Sequence, residues 1–344
     1  MRGTVVTLTA VPKPGYRFAG WISSDGGSFG DASATVTAFT MPDNDTVVTA
    51  RFSLIIVDPP DDNPPDNPSD NPQDGGAPVH RNDDKPRPPE MEYFSQQGEL
   101  VSIPLPASFA GYENTAVPYY VSDGKEIIIP VSSVVEGKLV FIAPASAVYY
   151  VKQNQADFED TQNHWAKEAI DFTATRGLFN GVGNGMFDPN GQMTRAMFIT
   201  VIARLDGADL SGFVSSKFTD VPAGSWYCNS VEWAANAGIV NGTGNGKFSP
   251  DEPITREQMA VMLYNYLSYK GYTLKTLDEN PQPFSDSASI SRWAQHSVES
   301  MCSMGIILGK PGNLFDPQGN ATRAECSMVF KRIIEEIIAQ SNRG

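Results

Sequence analysis

Three arginines, Arg195, Arg256 and Arg323, each follow a threonine and each stand thirty residues beyond a tryptophan, Trp165, Trp226 or Trp293. Thr322-Arg323-Ala324-Glu325 reads as a capping box, in which the threonine caps a helix and the glutamate returns the bond. Thr255-Arg256-Glu257-Gln258 does the same with glutamine, whereas Thr194-Arg195-Ala196-Met197 lacks the return partner. Capping explains the threonines but not the arginines. A cation at the first helical position opposes the helix dipole and costs about 0.3–1 kcal/mol. Three arginines in that unfavourable place point to an external anion, because free N–H groups beside a guanidinium fork suit a carboxylate or phosphate. A competing reading pairs them within the chain with Asp160, Asp220 and Asp286. The two readings are compatible.

The elements that must position these residues repeat. Phe158-Glu159-Asp160 recurs as Phe218-Thr219-Asp220 and Phe284-Ser285-Asp286. Twelve residues beyond each tryptophan lie Gly177, Gly238 and Gly305; sixteen beyond lie Gly181, Gly242 and Gly309; twenty-two beyond lie Phe187, Phe248 and Phe315. Such a period means a repeat architecture. Each unit reads as a helix ending at the first glycine, a loop, and a second helix opening at Thr194, Thr255 or Thr322, with apolar residues at helical spacing such as Phe198, Val201 and Ile202. The loop glycines, including Gly181, Gly183, Gly242, Gly244 and Gly309, follow a helix and not a strand, which argues against a dinucleotide fingerprint. Asp188-Pro189-Asn190-Gly191 lacks the EF-hand spacing and terminal glutamate, so it reads as a turn.

The chain has 344 residues and a formal net charge of -15. That charge argues against nucleic acid and anionic membrane surfaces as partners. No apolar run is long enough to cross a membrane. The three cysteines, Cys228, Cys302 and Cys326, form no metal-ligand spacing and read as small buried apolar residues; a Cys302–Cys326 bond stays open. No metal or cofactor is implied. The three histidines form no Ser-His-Asp or HExxH arrangement, so the chain is expected to be non-catalytic. No signal-peptide pattern opens the chain, and it is expected to be the C-terminal fragment of a longer secreted protein.

Six segments follow. Residues 1–52 read as a small β module around Tyr16, Phe18 and Trp21, whose simplest role is a core. Residues 53–91 are rich in proline and aspartate and read as a disordered linker, able to span roughly 100 Å if extended. Residues 92–154 read as a small β domain with a hairpin turning at Ser122-Asp123-Gly124. The repeats occupy 155–212, 213–277 and 278–344.

The first module, with Gly-Tyr-x-Phe-x-Gly-Trp and the closing FTMPDNDTVVTARF, resembles divergent internalin-type B-repeats, which implies a stalk or adhesion unit. The repeats resemble S-layer homology domains in their Phe-x-Asp, Trp-Ala, Gly-x-x-x-Gly and Thr-Arg-Ala-Glu elements. That resemblance implies an all-α, pseudo-threefold bundle. It also implies non-covalent anchoring of a surface protein to the bacterial cell wall, through a pyruvylated secondary cell wall polymer attached to peptidoglycan. It places the chain outside the cell, in the wall or S-layer of a Gram-positive bacterium, and admits self-assembly into a surface layer. By the same resemblance Arg195, Arg256 and Arg323 hold the ketal carboxylate. The loop glycines let backbone approach the sugar. Asp160, Asp220 and Asp286 accept sugar hydroxyls or orient the arginines, and Trp165, Trp226 and Trp293 stack on a ring or form core or groove wall. Met197 departs from the pattern in the first repeat and Leu308-Gly309-Lys310-Pro311 in the third, so the third site is expected to be altered. Competing expectations are an adhesion protein whose β module is the working part, and the anchor of a wall-active hydrolase.

Overall fold

The computed structural model describes residues 3–11, 16–23, 26–44, 46–54, 92–277 and 282–342. They divide into two units, Met1–Asn71 and Pro72–Gly344. From residue 55 onward, the expected linker lies outside the described residues.

In the first unit, β1 (Val5–Thr9), β3 (Ser28–Phe29) and β4 (Val36–Thr40) form one antiparallel sheet in the order β1-β4-β3. Strands β2 (Tyr16–Ser23) and β5 (Val48–Leu54) form a second. Trp21 and Phe39 are buried, and the Trp21 indole donates to the Ala34 carbonyl at 2.9 Å. Trp21 therefore belongs to the small core.

Among the described residues, seven strands precede the repeats in the second unit. β6 (Glu92–Ser95), β8 (Ala116–Ser122), β9 (Lys125–Ile128) and β12 (Ala147–Gln153) form the sheet β6-β12-β8-β9. β7 (Leu100–Pro104), β10 (Ser132–Val135) and β11 (Lys138–Ile142) form β10-β11-β7. The β8–β9 hairpin turns at Asp123 and Gly124, both at positive φ, as a tight hairpin turn requires.

The repeats contribute six α-helices among the described residues. The first helices are α1 (Lys167–Thr175), α3 (Cys228–Asn236) and α5 (Gln295–Ser303). Each is followed by its glycine in the left-handed region, at φ 72°, 72° and 71° for Gly177, Gly238 and Gly305. The second helices are α2 (Arg195–Asp206), α4 (Arg256–Lys270) and α6 (Arg323–Ser341). Their threonine caps and the two expected capping boxes are present. They lengthen along the chain, from 12 to 15 to 19 residues.

Each second helix packs on the first helix of another repeat: α2 on α3, α4 on α5, and α6 back on α1. The backbone closes the same circuit. Met193 N–H donates to Ala321, Ala321 to Ile254, and Ile254 to Met193, at 3.0, 3.0 and 2.8 Å. One buried cluster runs through all three repeats. The β domain joins it, since Val131 and Ile142 pack against that core.

Candidate functional site

The three motif arginines are buried, at 4%, 4% and 8% exposure for Arg195, Arg256 and Arg323. Each reaches into another repeat. Arg195 Nε donates to Phe248 O at 2.9 Å and Nη1 to Gln258 Oε1 at 3.1 Å. Arg256 donates to Phe315 O and Leu308 O, both at 2.7 Å. Arg323 donates to Phe187 O at 2.8 Å and Asn180 O at 2.7 Å. Each guanidinium also lies over a phenylalanine ring of the loop it grips: Phe248, Phe315 or Phe187. Burial pushes Arg195 down to about 10 and lowers Arg323 as well. The unfavourable helix-start cation is thus matched first by carbonyls of a neighbouring repeat.

The aspartates are not hydrogen-bonded to these arginines. Asp160 accepts the amides of Phe187 and Asp188 at 2.8 and 2.7 Å. Asp220 accepts those of Phe248 and Ser249, both at 2.8 Å, and Asp286 those of Phe315 and Asp316 at 2.8 and 2.7 Å. Each therefore fixes the loop of its own repeat, whose carbonyl the incoming arginine grips. Desolvation pushes the Asp220 and Asp286 carboxyls up, but these amides outweigh it and hold both below the usual range.

Gly181, Gly242 and Gly309 face their own loops. A Cβ at Gly242 would come within 2.4 Å of Lys247 O and 2.9 Å of the Phe218 ring. Gly183 and Gly244 stand at φ 103° and 112° with open space around them. The cysteines are free, which closes the question of a Cys302–Cys326 bond, and burial pushes the Cys302 thiol up to about 12.

The tryptophans face solvent: Trp165 is 63% exposed, Trp226 57% and Trp293 59%. Their core reading is set aside. Trp226 stands beside the α2–α3 seam, where the surface opens into a groove of about 310 Å³. Thr200, Ala203, Arg204, Gly207, Trp226 and Ser230 line it. Arg204 is exposed, gives Nη1 to Leu178 O at 3.0 Å, and has no carboxylate partner among the described residues. An exposed indole, an unneutralised guanidinium and two hydroxyls suit an anionic sugar.

Sequence reasoning missed Arg204. Its signal was the position nine residues after each motif arginine, occupied by Arg204, Asn265 and Arg332. All three donate to the equivalent carbonyl of their own repeat: Leu178, Ile239 or Ile306.

Comparison with known proteins matches the S-layer homology domain at residues 157–197, 217–260 and 283–325, and the divergent InlB B-repeat domain at 1–56. The chain is 35% identical over 201 residues to an amylopullulanase of Thermoanaerobacterium thermosulfurigenes, covering 58% of this chain and 11% of that protein. It is 35% identical over 190 residues to an exoglucanase of Acetivibrio thermocellus, covering 54% and 17%. It is 28% identical over 200 residues to an S-layer protein of Bacillus thuringiensis subsp. finitimus, covering 58% and 24%. The chain thus spans less than a quarter of the length of these relatives.

Proposed function

Since the chain carries three tandem S-layer homology domains behind a divergent InlB B-repeat domain, we propose that it is a non-catalytic anchor holding an extracellular surface protein to the bacterial cell wall. Its ligand is a secondary cell wall polymer bearing pyruvate ketals, bound without covalent linkage in a groove between repeats. The three repeats form a pseudo-threefold bundle, a reading supported by the closed circuit of Met193, Ala321 and Ile254 and by the three equivalent arginine ties.

The observation that carries the reading is the α2–α3 groove, where exposed Trp226 and Arg204 face the same space. The indole offers a flat apolar face to a sugar ring, and the guanidinium offers a fork to its carboxylate. Arg195, Arg256 and Arg323 serve this site by fixing the spacing of the repeats; Asp160, Asp220 and Asp286 serve it by fixing the loops those arginines grip. The matches to an amylopullulanase and an exoglucanase favour a second role for the same module, as the wall anchor of a longer hydrolase.

The test is sedimentation of the whole chain with purified wall sacculi, before and after chemical removal of the ketals. Binding that disappears with the ketals, and falls at least tenfold in Arg204→Gln, is the expected result. Binding indifferent to both would overturn the carboxylate site, and absence of binding to sacculi would overturn the anchor reading.

A further inference from the structure

The three seams are not alike, and one pair of equivalent positions decides how. Eight residues after the motif arginines stand Ala203, Tyr264 and Lys331; three residues after the tryptophans stand Asn229, His296 and Glu168. Across the α4–α5 seam the Tyr264 hydroxyl meets His296 Nε2 at 2.8 Å, with the rings edge to face at 5.0 Å. Across the α6–α1 seam Lys331 Nζ lies 3.4 Å from Glu168 Oε1 and 2.6 Å from Glu335 Oε1. Across the α2–α3 seam Ala203 has no side chain long enough to reach over, and the Asn229 amide is engaged by Leu210 O at 3.2 Å. That is where the groove is open.

Charge follows the same division. The open groove has Arg204, with Gly207 and Ala208 one turn on. At the α4–α5 seam the equivalents are neutral Asn265, Ser268 and Tyr269. At the α6–α1 seam they are Arg332, Glu335 and Glu336, so two cations, Lys331 and Arg332, face three carboxylates once Glu168 is included. Along the second helices, an anionic sugar meets a guanidinium without a carboxylate partner at the first seam, neutral side chains at the second, and carboxylates of like charge at the third.

We propose that this chain has one working saccharide groove, at α2–α3, and takes one anionic sugar unit per molecule. The other two seams are shut by Tyr264–His296 and by Lys331–Glu168. The proposal rests on the wall-anchor reading and adds the number and place of its sites.

The experiment is isothermal titration of the whole chain with a short ketal-bearing oligosaccharide released from wall polymer. Every variant is first checked for native circular dichroism. The expected stoichiometry is one. Trp226→Ala weakens binding at least tenfold and Ala203→Tyr abolishes it, while Trp165→Ala and Trp293→Ala change the Kd less than twofold. Tyr264→Ala combined with Asn265→Arg raises the stoichiometry to two. A stoichiometry of two or three in the unaltered chain, or a loss in Trp293→Ala equal to that in Trp226→Ala, overturns the single-groove proposal and leaves the anchor reading intact. No heat and no binding to sacculi overturn both.

Discussion

The motif arginines meet two demands with one side chain. Each guanidinium is taken out of water, a costly step unless its donors are satisfied. Each is satisfied by carbonyls that face inward at the end of a neighbouring loop, as Phe187 O and Asn180 O do for Arg323. Removing the side chain strands those carbonyls, at about 1–3 kcal/mol apiece. Arg323→Ala is therefore expected to destabilise the second unit by roughly 2–4 kcal/mol, read as a shift in urea midpoint. An unchanged midpoint would return Arg323 to a purely ligand-facing role. The aspartates add a pH dependence. Folded Asp220 and Asp286 titrate below their unfolded values, so their stabilisation is complete above the unfolded carboxyl range and is lost as pH falls through the folded values. The melting temperature should fall on acidification below about pH 4, and Asp220→Asn should flatten that slope. A slope unchanged in the variant would count against these amide bonds.

At the scale of the element, the end of the second helix's first turn serves, in the second and third repeats, both its own cap and the arginine reaching in from another repeat. Gln258 accepts the Thr255 amide and also Arg195 Nη1. Glu325 accepts the Thr322 amide and lies 3.9 Å from Arg256 Nη1. Met197 can do neither, so Thr194 has a cap without a return bond and Arg323 has no acceptor at that place. Met197→Glu is expected to stabilise the chain by about 0.5–1 kcal/mol, seen as a higher melting temperature, whereas Thr255→Ala should cost about 0.5–2 kcal/mol. A destabilising Met197→Glu would show that its packing against the core outweighs the cap. These elements were legible beforehand because caps, C′ glycines and the i, i+3, i+4 stripe are local rules written in adjacent residues. The destination of each arginine was not. Arg323 and Phe187 lie 136 positions apart, and no local rule indicates that the third repeat closes on the first. Arg204 was missed for a related reason: it matters through the absence of a carboxylate and of a long side chain at Ala203, and such gaps exist only once two helices meet.

At the scale of the molecule, the β domain before the repeats is part of the same body. Arg176, at the end of α1, is fully buried and reaches out of the repeats, donating Nε to Ser132 O at 2.8 Å and Nη1 to Asn114 O and Phe172 O at 3.1 Å each. Its guanidinium lies 3.6 Å from the centre of the Phe172 ring. Burial pushes it down to about 9, so it stays charged at neutral pH, with two β-domain carbonyls and an aromatic face as its compensation. Sequence reading gave residues 92–154 no role because neither Ser132 nor Asn114 carries a recognisable motif; both contribute through backbone carbonyls. The seam that this packing adjoins is α6–α1, where α6 also contacts β10 and β11. A chain beginning at residue 157 would lose those acceptors and uncover the part of the core against which Val131 and Ile142 pack. Arg176→Ala in the whole chain is expected to lower stability by about 3 kcal/mol or more, from stranded carbonyls and a cavity together. Hydrogen exchange should locate the loss in β10, α1 and the C-terminal half of α6, with α3 and α4 protected as before. Loosening confined to β6–β12, with α6 unaffected, would mean that the β domain rests on the repeats without supporting them.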